Sequence, residues 1–272
     1  MEIYEGFMLI HGGGIWSVKG CVHPEGYAVA LPRYFNGRKL KTLSDGMRLV
    51  RERFPSYLSY VPDIGFEVPL VPLEESEILN PYLKREVQDE RVTNFMSWFK
   101  EIGLTGSWLY LGRGDDLDLL SSNLENYRIL KELRLRGITH SLKTINHSEV
   151  ETLNTDNFSF LKSIRVLEGS YFGLPYTFKI VECEQFGKVL HKERFVGTVE
   201  IERGLKPFSL PVKYEAGKFI LTSFRTRFTE LPEGTVLKVK GYLLHREDFL
   251  DLDLDLAEEV KILKPGKVEG VY

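Results

Sequence analysis

Cysteine is scarce in this chain of 272 residues: Cys21 and Cys183 are the only two, and they stand far apart. Two such residues make neither a disulfide framework nor the paired-cysteine pattern of a structural zinc site. Histidine is sparse as well, and the six present form no HExxH pair, which excludes the common helical zinc-hydrolase arrangement. Excess charge of one sign is also missing. With a formal net charge of -3 the chain does not grip nucleic acid through bulk positive charge, so any such contact must be local. No apolar run approaches the roughly 18 residues that a membrane-spanning helix needs. The start, MEIYEGFMLIHGGG, lacks the basic opening and long apolar stretch of a signal peptide. A reducing cytoplasm and no membrane partner are therefore expected. There is no G-x-S-x-G elbow, no G-K-[ST] loop, no internal repeat and no low-complexity segment.

What the chain does have is core-forming material: seventeen Phe, thirteen Tyr and three Trp supply large apolar area. Its texture divides into three zones, expected as an N-terminal β-rich segment over 1–73, a helix-containing core over 74–168 and a C-terminal β-rich domain over 169–272. In the first, IWSVKGCVHPEGYAVALPRY reads as two strands separated by the turn His23-Pro24-Glu25-Gly26. HGGG (11–14) reads as a hairpin turn, and Ser44 reads as the cap of a short helix in SDGMRLVRERF. In the second, Val92, Phe95, Met96, Phe99 and Ile102 share one helical stripe that Gly103 ends. A further helix follows, capped by Asn123 and stopped by Gly137, with Arg128, Lys131, Arg134 and Arg136 expected on its solvated face. In the third, YTFKIVECE, ERFVGTVEIE, FSLPVKYEAGKFILTSF and TVLKVKGYLLH read as closely spaced strands, which predicts a small barrel-like domain. The fold class is α+β.

Between the two central helices lies LTGSWLYLGRGDDLDLL (104–120). On a strand, side chains alternate faces, so Asp116 and Asp118 point one way and Leu117 and Leu119 the other. Two neighbouring carboxylates repel, and a divalent cation removes the conflict. Mg²⁺ is a hard ion that takes one or two carboxylates and completes its shell with phosphate oxygens and water. Gly106 allows close backbone approach to a phosphate, Ser107 offers a hydroxyl donor, and Arg113 in the Gly-Arg-Gly link supplies charge.

This run resembles the signature of the nucleotidyltransferase superfamily typified by DNA polymerase beta, in which Gly-Ser precedes an apolar-flanked Asp-x-Asp. Thr105-Gly106-Ser107 and Asp116-Leu117-Asp118-Leu119 carry the resemblance, with eight residues between Ser107 and Asp116, a little fewer than is usual there. A wider similarity is to a group of archaeal proteins assigned to that superfamily. It extends over VKGCVHPEGYAVALPRY (18–34) and LEGSYFGLPYTFKIVECE (167–184). The resemblance implies a mixed sheet with helices, Asp116 and Asp118 as catalytic ligands of Mg²⁺, and Gly106, Ser107 and Arg113 as the nucleotide-binding residues. It also implies transfer of a nucleotidyl group from a nucleoside triphosphate to a hydroxyl of an RNA, a protein or a small molecule. A third carboxylate belongs on a later strand, with Glu182, Glu184 and Asp156 as candidates. The rival expectation is a nucleic-acid-binding protein whose nucleotidyltransferase-like domain is not catalytic.

Two other stretches stand out. HPEGYAVALPRYFNGRKLKT interleaves Arg33, Arg38, Lys39 and Lys41 with Tyr27, Tyr34 and Phe35, a pairing that suits an RNA or other nucleic-acid strand as readily as an edge strand with solubilising charge. DFLDLDLDLAEE (248–259) alternates Asp251, Asp253 and Asp255 with leucines, and is expected to be an exposed strand with one charged face.

Overall fold

The computed structural model describes residues 2–40, 42–83, 87–142, 150 and 152–267. Lys41, one of the four cations interleaved with aromatic residues in 23–42, lies outside them. The alternating apolar pattern of the first eighty residues becomes strands. β1 (Met8–His11) and β2 (Gly14–Val18) form a hairpin whose turn residues, Gly12 and Gly13, have φ of +54° and +75°. Two positive φ values are what a tight hairpin matching the right-handed strand twist requires, so HGGG is a turn. β3 (Tyr27–Phe35), β4 (Arg38–Lys39), α1 (Leu43–Arg53), β5 (Leu58–Val61), β6 (Phe66–Pro72) and β7 (Glu77–Leu79) follow. The sheet order is β5-β6-β3-β2-β1-β7, with β4 on β3. Thr42, rather than Ser44, caps α1: it forms a reciprocal capping box with Asp45, which Ser44 has no acid placed to match. Tyr34 pairs with Ile15 but Pro32 with Trp16, so Arg33 is the extra residue of a β-bulge.

The central zone contains α2 (Glu90–Met96), β8 (Ile102–Thr105), α3 (Gly106–Leu111), β9 (Leu117–Ser121), α4 (Glu125–Leu135), β10 (Thr139–His140), α5 (Thr155–Ile164), β11 (Glu168–Tyr171) and β12 (Leu174–Ile180). Its sheet runs β10-β11-β12-β9-β8, and only β12 and β9 are parallel. The helical stripe stops at Met96, short of Ile102. Residues 102–105 pair with β9 instead, and Gly103 lies so close to Pro81 that a Cβ would meet its carbonyl oxygen at 2.7 Å. β12, grouped by sequence with the C-terminal strands, lies beside β9. Arg134 is not on a solvated face: it is buried, donating to the carbonyls of Arg165 (3.3 Å) and Glu168 (2.9 Å).

β13 (Val189–Glu200), β14 (Arg203–Lys206), β15 (Val212–Ala216), β16 (Phe219–Ser223), β17 (Val236–Arg246), β18 (Leu250–Asp253) and β19 (Glu259–Lys264) build the third sheet, in the order β13-β17-β18-β16-β15-β14 with β19 on β17. Where a small barrel was expected, the sheet is open; β13 and β14, at its two ends, do not pair among the described residues. The acidic run is not an exposed ribbon. β18 is inserted between β16 and β17, so both of its edges are paired, and Asp251 and Leu252, on opposite faces, are fully buried. The Asp251 carboxylate accepts from Nε of Arg246 (2.7 Å) and from the Thr222 hydroxyl (2.6 Å).

The molecule is therefore mixed α+β, with three mostly antiparallel sheets and few helices. Among the described residues no helix is long and apolar enough to cross a membrane. Several ties run between the sheets, three of them as follows. Glu230 receives the backbone N–H groups of Val166 (2.9 Å) and Leu167 (3.1 Å) and the Tyr127 hydroxyl (3.0 Å). Arg246 also donates to the carbonyls of Asp63 (2.8 Å) and Gly187 (2.7 Å). The third tie corrects the reading of the cysteines: Cys21 and Cys183, 162 residues apart in sequence, are joined in a disulfide across a Cα–Cα distance of 5.6 Å. Separation along a chain places no limit on separation in space, and this distance is in the range a disulfide spans.

Candidate functional site

β9 alternates as its sequence dictates. Leu117 and Leu119 are fully buried in the central core, while Leu120, on the other face, packs with Ile3 and Phe7 of the N-terminal segment. Asp118 shares the face of Leu120 and is only partly buried; Asp116 is exposed in the turn just before the strand. Gly106 lies directly against Asp118. Its φ is +63°, and a Cβ built there would fall 2.2 Å from Oδ2 of Asp118. No other residue type fits that contact without displacing the carboxylate. Ser107 sits next to it under the turn, where a Cβ on Gly114 would come within 2.2 Å of its Oγ. The turn itself is pinned by the Trp108 indole, whose Nε1 donates to the Asp116 carbonyl at 3.0 Å. The Gly-Ser step and the Asp-x-Asp are thus brought together. Arg113 is exposed in the linking turn.

The cations that act on Asp118 come from elsewhere. Partial burial, then the Asp116 charge, push its carboxyl up to about 6, against the opposing pull of Lys179, Arg33 and Lys39. Lys179 is on β12, one pleat beyond Thr177, the residue that pairs with Asp118 across the parallel β9/β12 ladder. Its Nζ lies 3.0 Å from Oε1 of Glu5. Glu5 also meets Lys19 at 3.7 Å and accepts the Gly20 N–H at 3.1 Å. Burial disfavours both charged groups. The neighbouring Lys19 and Lys179 nevertheless hold the Glu5 carboxyl below its ordinary range, and Glu5 and Asp118 hold the Lys179 ammonium above its own. Opposite the acids, the end of β3 brings Tyr34 against Tyr110 of α3, with ring centroids 5.6 Å apart. Burial raises the Tyr34 hydroxyl, with Asp116 and Asp118 adding to the rise and Arg33 opposing it.

Spacing within one segment could find Gly106, Ser107, Asp116 and Asp118, but not Lys179, Glu5 or the Arg33 bulge. Those depend on which distant strand lies beside β9. The place opposite Asp118 where a third acid would be sought is occupied by Thr177. Glu184 is held by Lys206 (3.0 Å) and Lys213 (2.6 Å), Glu182 lies past the end of β12, and Asp156 is in the first turn of α5. Among the described residues no group of three or more His, Cys, Asp or Glu has the arrangement of a metal site. The donors present are the Asp118 carboxyl, raised first by burial and then by the Asp116 charge, beside the Gly106 backbone, and the exposed Asp116; that set fits a single Mg²⁺ that keeps water and phosphate in its shell. Set against known proteins, the chain matches no family model, no curated protein and no solved structure.

Proposed function

We propose that this chain is a nucleotidyltransferase with a core like that of the DNA polymerase beta superfamily, moving a nucleotidyl group from a nucleoside triphosphate to a hydroxyl acceptor. One observation carries the reading: Gly106 is pressed against Asp118, with Ser107 next to it and Asp116 exposed in the turn that leads into the same strand. A backbone without a side chain, packed against the Asp118 carboxylate, lets a phosphate approach its N–H groups beside a cation. Asp116 and Asp118 would hold Mg²⁺, which supplies charge stabilisation for the attacking and leaving oxygens. The Gly106 backbone and the Ser107 hydroxyl hold the triphosphate, and Lys179, Arg33 and Lys39 add positive charge around it. The acceptor oxygen bonds to the α-phosphorus as the bond to pyrophosphate breaks. Pyrophosphate leaves with the bonding pair, and the acceptor proton passes to water. The protein's contribution is positioning and charge neutralisation.

Thr177 in the place of a third acid favours a second reading, in which the same core binds nucleotide or nucleic acid and transfers nothing. Melting curves with ATP, CTP, GTP and UTP, with and without Mg²⁺, together with a pyrophosphate-release assay, separate the two. Ligands that bind only the folded chain raise its melting temperature. The first reading expects Mg²⁺-dependent stabilisation by at least one nucleotide, pyrophosphate release, and loss of both in Asp116→Asn, an exposed substitution that leaves the fold intact. Stabilisation without pyrophosphate selects the second reading. No nucleotide response, with oligonucleotide binding that survives Asp116→Asn, removes the first.

A further inference from the structure

One strongly basic stretch of this mildly acidic chain borders the Asp116 and Asp118 pair. Residues 33–53, RYFNGRKLKTLSDGMRLVRER, hold seven Lys and Arg against two acids, while the whole chain is net -3. Of those two acids, Asp45 is already engaged by the α1 capping box and by Arg48 at 3.0 Å. A surface that only needs solubility mixes its signs. This one is also rigidly built. Asn36 and Gly37, with φ of +46° and +76°, make the tight turn between β3 and β4, so Phe35 pairs with Arg38 and the exposed Arg38 and Lys39 are held at the hairpin tip. The β-bulge breaks the alternation of β3 at Arg33 and Tyr34, and Arg33 is near enough to Asp118 to act on its charge. Tyr34 there meets Tyr110 of α3, the helix that begins at Gly106. Arg51 and Arg53 are exposed on the last turn of α1, the helix that follows the hairpin.

We infer that the β3–β4 hairpin and α1 form the docking surface for a single-stranded nucleic acid, which leads its end to Asp116 and Asp118. Repeated cations follow a phosphate backbone, and the half-exposed Tyr34, near the two aspartates, offers a face on which a base stacks. The hairpin cations also offset the acids, letting a polyanion approach a pair of carboxylates that would otherwise repel it. The acceptor role of the strand rests on the nucleotidyl-transfer reading; the docking itself does not.

The test is fluorescence anisotropy with labelled single-stranded RNA and DNA of about 15 nucleotides, titrated from about 50 to about 200 mM salt. An acidic peptide of equal charge serves as competitor. The intact chain is expected to bind at low salt. The double variant Arg38→Glu/Lys39→Glu should bind about tenfold or more weakly, with a salt slope shallower by about 1.4, roughly 0.7 for each cation removed. Tyr34→Ala should weaken binding several-fold without changing that slope, because stacking releases no counterions. Equal melting temperatures show that the variants fold. Affinity unchanged in the charge-reversed variant, no binding at low salt, or equal competition by the peptide would each overturn the inference. Docking without a nucleotide–Mg²⁺ response upholds the surface and removes the transfer reading; a nucleotide response without docking does the reverse.

Discussion

At Gly106 an added methyl group would meet Oδ2 of Asp118 and would sit at a φ of +63°. Gly106→Ala should therefore lower stability by about 1–3 kcal/mol in urea unfolding. Gly112 is the control: its φ is +69° but nothing lies within 4 Å of its Cβ position, so Gly112→Ala should carry only the backbone component. Nucleotide-dependent stabilisation should be lost in the first variant and kept in the second. His23 gives a pH dependence. Its Nδ1 accepts the Val29 N–H at 3.1 Å, its Nε2 is buried without a hydrogen-bond partner, and burial lowers its pKa to about 4. The unfolded chain takes up this proton near pH 6.5 and the folded chain only near 4, so the unfolded state binds more protons between those values. Stability is complete above pH 6.5 and falls as the pH drops towards 4, by up to about 3 kcal/mol. In His23→Gln that fall should be smaller, which denaturant melts across the range will read. The sequence made Gly106 and the two aspartates legible because their relation is local. It left His23 as a turn residue, since burial of one ring nitrogen depends on neighbours that arrive later in the chain.

Among elements, β18 carries the plainest lesson. Asp-Leu alternation suits a ribbon with one wet face, and it was expected to have one. Insertion between β16 and β17 pairs both edges, the faces carrying Asp251 and Leu252 are both buried, and Arg246 is what makes a buried aspartate there tolerable. Removing one partner strands the other. Arg246→Met should lower stability by about 3–5 kcal/mol, whereas Arg246→Met with Asp251→Leu should recover much of that, because a matched apolar pair leaves no orphaned charge. A double-mutant cycle from unfolding curves measures the difference. Periodicity shows that a segment is a strand but not what will flank it. The same limit hid the parallel neighbour of β9 and turned the far end of the α2 stripe, where Gly103 meets Pro81, into β8. The HGGG turn fared better, since Gly12-Gly13 specifies its geometry locally.

At the scale of the whole molecule, the disulfide joins the N-terminal sheet to the chain just past β12. Disulfides persist in oxidising compartments and in intracellular proteins of hyperthermophiles, so this bond weighs against the ordinary reducing cytoplasm that two distant cysteines suggested. Reduction, or Cys21→Ser with Cys183→Ser, should lower stability by about 2–4 kcal/mol and the melting temperature by on the order of 10 °C. Calorimetry with and without reductant will show it.

The reach of Glu230 into the backbone of Val166 and Leu167 has a practical outcome for anyone dissecting the chain. A fragment cut before β13 would leave two amide hydrogens of the central core without their acceptor, and the excised piece would carry a carboxylate with nothing to receive. Neither half is self-sufficient. Heating should accordingly melt the protein in one calorimetric step, and a protease should find no intermediate size at which digestion pauses.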